Sequence, residues 1–201
     1  MSDVEDAIRS RRSIRGLEGP SLAPAEVEEL VSLALTAPAP HHTRPWRFVE
    51  ISPARREALA AAMGDAWRAD LERDGVPEAR RARALARSRR RVVDAPTLLL
   101  GCLVGEGLNE YADERRRLAE WGLAQHSFGA ALQNVLLAVS TRGLGAYWIS
   151  APLYAPEAVR AVLDLDPSWV PQALVVIGHP SAGYAPFDRP APDLERHFVR
   201  R

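Results

Sequence analysis

Apolar positions along the chain recur at two spacings, and the switches between them mark its elements. Val4 and Ile8, with Arg11 below them, share one face of a short helix over residues 4–12 that Ser2 or Asp3 is placed to cap. A turn-rich break, Gly16-Leu17-Glu18-Gly19-Pro20, separates it from a second helix that Pro24 opens and that runs to about Ala37. Val27, Leu30, Val31, Ala34 and Leu35 form the core stripe of that helix, and Glu26, Glu28 and Glu29 bring acidic charge to its start. Three prolines in residues 37–45 forbid helix and central strand there, so this stretch is read as an ordered loop. Large apolar and polar residues alternate over 46–51, which predicts a strand, and Pro53 opens a helix through Ala69.

An arginine-rich helix lies between Pro77 and Val93 and ends at Asp94-Ala95-Pro96. Residues 97–104 are continuously apolar over a strand's length, as expected of a strand covered on both faces. From about Ala112 to Arg142 runs a long helix that is apolar almost all round after Ser127, and it is expected to be buried inside the fold. Gly143-Leu144-Gly145 ends it. Strands are predicted at 146–149 and 171–178 with a helix from Pro156 to Leu163 between them, and the proline-rich remainder, 180–201, reads as an extended C-terminal arm. The pattern is α+β, in one domain spanning residues 1–201.

Composition narrows the function. The 26 basic and 26 acidic residues of the 201 cancel, so no global positive field draws the chain to nucleic acid or an anionic membrane. Every basic residue is arginine, which removes Schiff-base lysines and the P-loop lysine from consideration and leaves anion binding to guanidinium groups. Cys102 is the one cysteine and lies in an apolar strand, where a buried inert thiol is expected. An acidic start, Met1 to Asp6, is unlike a secretory leader, no apolar run approaches membrane-spanning length, and the expected location is cytoplasmic.

Few residues promise side-chain chemistry. His41-His42 lacks a metal-binding pattern, His126-Ser127 lacks a nucleophile elbow and a placed acid, and Gly143-Leu144-Gly145 ends a helix where a dinucleotide fingerprint would open one. Arg11-Arg12-Ser13-Ile14-Arg15 gathers three guanidinium groups and a hydroxyl at a helix end. That set suits a phosphate, and it equally suits a solvated basic end that complements its own helix dipole. The arginines of residues 79–91 read as a solvated helix or as one near an anionic substrate.

Three motifs in order resemble the FMN-dependent nitroreductase superfamily: Arg11 to Arg15, Ala37-Pro38 through Arg44-Pro45-Trp46-Arg47-Phe48, and Gly129-Ala130-Ala131-Leu132-Gln133-Asn134 leading to Gly143-Leu144-Gly145 and Trp148-Ile149. Ile177-Gly178-His179-Pro180 and a following arginine extend the likeness. Within the superfamily, residues 35–45 and 129–149 look most like the C-terminal FMN domain of the two-domain coenzyme F420 γ-glutamyl ligase family, which is thought to reduce dehydro-F420-0.

The resemblance implies a central antiparallel or mixed sheet flanked by helices, in an entwined homodimer with FMN at the interface. It implies that Arg11, Arg12, Ser13 and Arg15 hold the FMN phosphate and the pyrimidine edge of the ring, and that Arg189 completes phosphate binding. Ala39, Pro40 and His41 are carried over as ring contacts, and Ser150 and Ala151 as backbone donors near the reactive flavin nitrogen. No side chain is expected to act as nucleophile, because flavin N5 carries the hydride. Where the family has Asn and Gln before Pro-Trp, this chain has His42, Thr43 and Arg44, so His42 and Arg44 are expected to meet an anionic substrate related to F420. NAD(P)H or F420 is the expected donor; a flavin- or F420-binding module without turnover, beside a separate ligase, and a general nitroreductase are the alternatives.

Overall fold

The apolar run that reads as a doubly covered strand is one: every residue of Thr97–Leu103 is buried in the computed structural model, which describes residues 3–201. This strand, β3 in chain order, follows α1 (Asp3–Ser10), β1 (Leu17–Glu18), α2 (Pro24–Ala34), β2 (Trp46–Glu50), α3 (Pro53–Arg73) and α4 (Glu78–Val93). After it come α5 (Glu114–Thr141), β4 (Gly145–Ile149), α6 (Pro156–Leu163), β5 (Val170–Pro180) and α7 (Leu194–His197). Ser2, one of the two cap candidates of the first helix, lies outside the described residues.

All the strand pairings are antiparallel. β5 pairs with β1, β3 and β4, while β2 continues the sheet beyond β3. Alternation along β3 and β5 sends Leu99, Leu103, Val175 and Ile177 to one face, where they meet Val27 and Leu30 of α2 and Phe128, Leu132 and Val135 of α5. Leu98, Leu100, Cys102, Leu174 and Val176 go to the other face, against Leu59 and Met63 of α3 and Val159 of α6. The sheet is therefore a middle layer with a core on each side. Close packing also explains Gly101: a Cβ there would stand 2.5 Å from the Phe128 ring, which lies stacked near Phe48 at 6.2 Å between centroids.

Three expectations need correction. Leu17 and Glu18 do not belong to a plain turn; they pair with Pro180 and His179 as a two-residue strand, too short to show any period. The helix α5 is enclosed only after Ser127, where no residue from Phe128 to Ser140 is exposed; its first half buries Glu120 and Ala124 and leaves Leu118 and Leu123 exposed. Val4 and Ile8 on α1 are likewise exposed, and that helix stops at Ser10, where the Arg12 side chain takes up its last carbonyls. The arm begins by docking on its own chain: Ser181 N–H donates to Gly16 O at 3.0 Å, and the Tyr184 ring fills the space a side chain at Gly16 would need. No helix among the described residues is long and apolar enough to cross a membrane.

Candidate active site

Residues 11–15 leave α1 and run beside the start of β4, held by a hydrogen bond from Ile14 N–H to Ala146 O at 3.1 Å. The bare Gly145 makes this approach possible, because a Cβ there would press on Ile14 and Leu17. Arg12 turns back: its Nη1 donates to the carbonyls of Arg9 (2.7 Å), Arg11 (3.0 Å) and Ser10 (3.1 Å), capping α1 as a basic helix end does. Arg11 behaves differently. Its Nε is buried without a hydrogen-bond partner among the described residues, and Arg189 of the arm donates to its carbonyl oxygen at 2.5 Å. Burial first, then the positive charges of Arg189 and Arg12, push the Arg11 guanidinium below its ordinary pKa. Cations crowded together with an unmet donor are a cradle for a phosphate, whose charge would relieve the repulsion and whose oxygens would accept the bond.

Further along the same segment, the Arg15 guanidinium stands 6.0 Å from the centre of the Tyr147 ring. Burial raises the Tyr147 hydroxyl's pKa, against the opposing fields of Arg91 and Arg15. Arg15, Arg87, Arg90, Arg91 and Tyr147 line one cavity of about 290 Å³, with Asp94 as its one carboxylate. Arg87 and Arg91 are shared with a larger hollow of about 480 Å³ between α3, α4 and the end of β4, whose wall includes Trp67, Ile149, Ala151 and Tyr154. Ala151 is thus in place at a cavity, beside the exposed Ser150. Sequence reasoning missed Arg87, Arg91 and Tyr147 as individual site residues. The arginine density of α4 was the available signal, but only the fold selects the members that face Arg15.

The proline loop lies elsewhere. Ala39 and Pro40 are half-buried, and Pro40 begins a single 3-10 turn through His42. His41 and His42 both adopt left-handed backbone, at φ +52° and +56°. Thr43 locks the turn by donating its amide and its hydroxyl to Pro40 O. Arg44 donates from Nε to Leu35 O at 2.9 Å and so caps α2. His41 Nε2 meets Glu120 Oε1 at 2.7 Å, and the same carboxylate oxygen accepts from the Asn109 backbone N–H at 3.0 Å. That amide bond, chiefly, and the contact with His41 hold the Glu120 carboxyl below the usual carboxylate range despite burial.

The residues expected to form the site fall into two groups that do not meet within one chain. Glu120, which receives His41, is in the second turn of α5, whereas Ala146, which receives Ile14, follows that helix's far end. At 1.5 Å per residue the helix separates them by about 30 Å, farther than the two ends of a flavin mononucleotide. One chain places Arg11, Ser13, Arg15 and Arg189 at the Ala146 end and Ala39, Pro40, His41, His42 and Arg44 at the Glu120 end, while Ser150 and Ala151 follow the other end of β4, by the hollow that Arg87 and Arg91 also line.

Comparison with known proteins gives this arrangement its context. The chain is 26% identical to the 5,6-dimethylbenzimidazole synthase of Rhodospirillum rubrum, over 92% of this chain and 83% of that protein. It is 28% identical to a NADH dehydrogenase of Thermus thermophilus, over 89% of this chain and 87% of the relative. Among solved structures, a BluB-like flavoprotein from Clostridium difficile superposes with a TM-score of 0.78 at 19% identity, covering 100% of both chains. A nitroreductase from Desulfovibrio desulfuricans, solved in complex with FMN, gives 0.74 at 24% identity over 100% of this chain and 98% of that one. The Nitroreductase family model matches residues 8–179, from within α1 to the penultimate residue of β5, and so takes in the sheet and both cores, with Arg189 of the arm beyond it. This chain belongs to the nitroreductase family.

Proposed function

We propose that the protein is an FMN-dependent oxidoreductase that works as a homodimer, with each cofactor held between the arginine end of one copy and the proline loop of the other. The observation that carries this reading is the buried, unpartnered Arg11 Nε beside Arg189. Arg11, Ser13 and Arg189 hold the phosphate. Arg15 and Arg91, which line one cavity with Tyr147, face the electron-rich edge of the ring system, and Ser150 and Ala151 present backbone donors near it. FMN, when bound, supplies two-electron hydride chemistry at N5, so the chain needs only to orient, desolvate and balance charge. Arg12 and Arg44 keep structural duties at the ends of α1 and α2. The α5 separation supports the dimer, because Ala39, Pro40 and His41 reach a cofactor on the arginine side only if a second copy supplies them.

NAD(P)H is the proposed electron donor, in keeping with the NADH dehydrogenase among the relatives. The acceptor is an anion, for which the surplus of Arg87 and Arg90 beyond the needs of one phosphate monoester is the support. Dehydro-F420-0 is an acceptor of that charge class, and an acceptor with a C=O or N=O group, as for a general nitroreductase, is the alternative. The test is direct: purified protein titrated with FMN and with riboflavin should prefer FMN, and R11A should erase the preference. Equal affinity for the two ligands in the wild-type protein would refute the phosphate assignment. Stopped-flow reduction by NADPH, compared with dithionite alone, separates an enzyme from a binding module.

A further inference from the structure

Glu120 is a carboxylate 5% exposed on the helix that forms the fold's main apolar stripe, and none of the roles above uses it. A buried acid is costly unless it is engaged, and its partners are two: the Asn109 amide and the ring of His41, whose Nε2 also lies 3.0 Å from the Asn109 side-chain amide. The ring belongs to a strained turn. Two consecutive left-handed non-glycine residues are strained and persist only where the surroundings hold them, which points to use of the side chains they display. With Nε2 taken by Glu120, Nδ1 is the free ring nitrogen, and the side chain remains 42% exposed.

We propose that His41 donates a proton from Nδ1 to the oxygen of the oxidised second substrate, an acceptor with a C=O or N=O group, and that Glu120 is the residue that positions it. This rests on the homodimer reading, which sets His41 beside the cofactor of the other copy. In the step, the acceptor takes a hydride, with its electron pair, from the reduced cofactor. Its oxygen takes a proton: an O–H bond forms as the Nδ1–H bond breaks, and the ring passes from imidazolium to neutral imidazole with Nε2–H still bonded to Glu120. Water then returns the proton to the exposed ring. The other ionisable groups around the dyad are His42 on the same turn, Glu110 and Tyr111 beyond Asn109, and Arg117 one turn before Glu120.

His41→Gln is the decisive variant, since its amide N–H can still bond Glu120 while it has no proton to transfer. With both proteins saturated with FMN and 1,4-benzoquinone as acceptor, H41Q should reoxidise about 100-fold more slowly than wild type. Glu120→Gln should shift the pH profile of the same step. Long-range nitrogen–proton spectra of histidine-labelled protein, taken without acceptor, should show neutral His41 with its proton on Nε2, and a loss of that tautomer preference in E120Q. An H41Q protein that keeps the wild-type rate, or a His41 tautomer unchanged in E120Q, overturns the proposal and leaves only a latch between loop and helix. If H41Q takes up FMN normally and reacts normally, this inference alone falls; a wild-type protein that takes up no flavin brings down both.

Discussion

Arg189 and Arg11, 178 positions apart in sequence, meet through a 2.5 Å hydrogen bond from a guanidinium to a backbone carbonyl. The arm is thereby tied to the segment that leaves α1, and a second positive charge is set beside one already starved of partners. Replacing Arg189 with alanine removes one charge-assisted donor, so the FMN dissociation constant should rise about 10- to 100-fold while riboflavin affinity changes little. Differential scanning fluorimetry offers a second check. FMN at 100 times its dissociation constant should add about 2.7 kcal/mol of stability to wild type, and the same concentration should add much less to R189A.

Arg56 should be the most sensitive structural arginine. Its buried guanidinium donates to Ile51 O at 3.2 Å, to Pro96 O at 3.3 Å and to Ala95 O, fastening α3 to the end of β2 and to the entry of β3. Arg56→Met would leave these carbonyls without donors. Chemical denaturation should register a loss of about 2–4 kcal/mol, with no loss of FMN preference over riboflavin in the protein that remains folded.

Gly101→Ala should overpack the core between Phe128 and Phe48, at a cost of about 1–3 kcal/mol. Combining it with Phe128→Leu should recover part of that loss. Denaturation midpoints of the two single variants and the double variant complete the cycle, and strict additivity would contradict the contact.

Cys102 should resist thiol reagents in the native protein. Burial pushes its pKa up from 9.0 to about 12, so the thiol stays neutral in the fold. The sign follows from linkage: the unfolded chain releases this proton near pH 9 and the folded chain does not. The stabilisation is therefore complete below pH 9 and is lost as pH rises from 9 towards 12. Labelling by a disulfide reagent should track unfolding, and Cys102→Ala should flatten the alkaline decline in stability.

The sequence announced what has period or composition. The β3 run, the α2 stripe and the helix-breaking prolines at 38, 40 and 45 read directly, and the three motifs carried the family. What it could not show depends on distant pairing. Two residues at Leu17–Glu18 have no repeat to detect, and they become a strand only because β5 continues to Pro180. Tyr147 meets Arg15 and Arg91 through the path of residues 11–15 along β4 and the packing of α4, neither of which has a local signature. Glu120 looks like an ordinary surface acid near the start of a helix until His41 and Asn109 arrive from loops 79 and 11 residues away.

The span of α5 has a genetic corollary. In the proposed dimer, a chain damaged at Arg11 and a chain damaged at His41 are each impaired in both pockets when alone, yet pairing them gives one pocket assembled wholly from sound parts and one that inherits both lesions. Mixed dimers of these two variants should regain up to half the wild-type rate per dimer, a complementation that a pocket owned by a single polypeptide could never display.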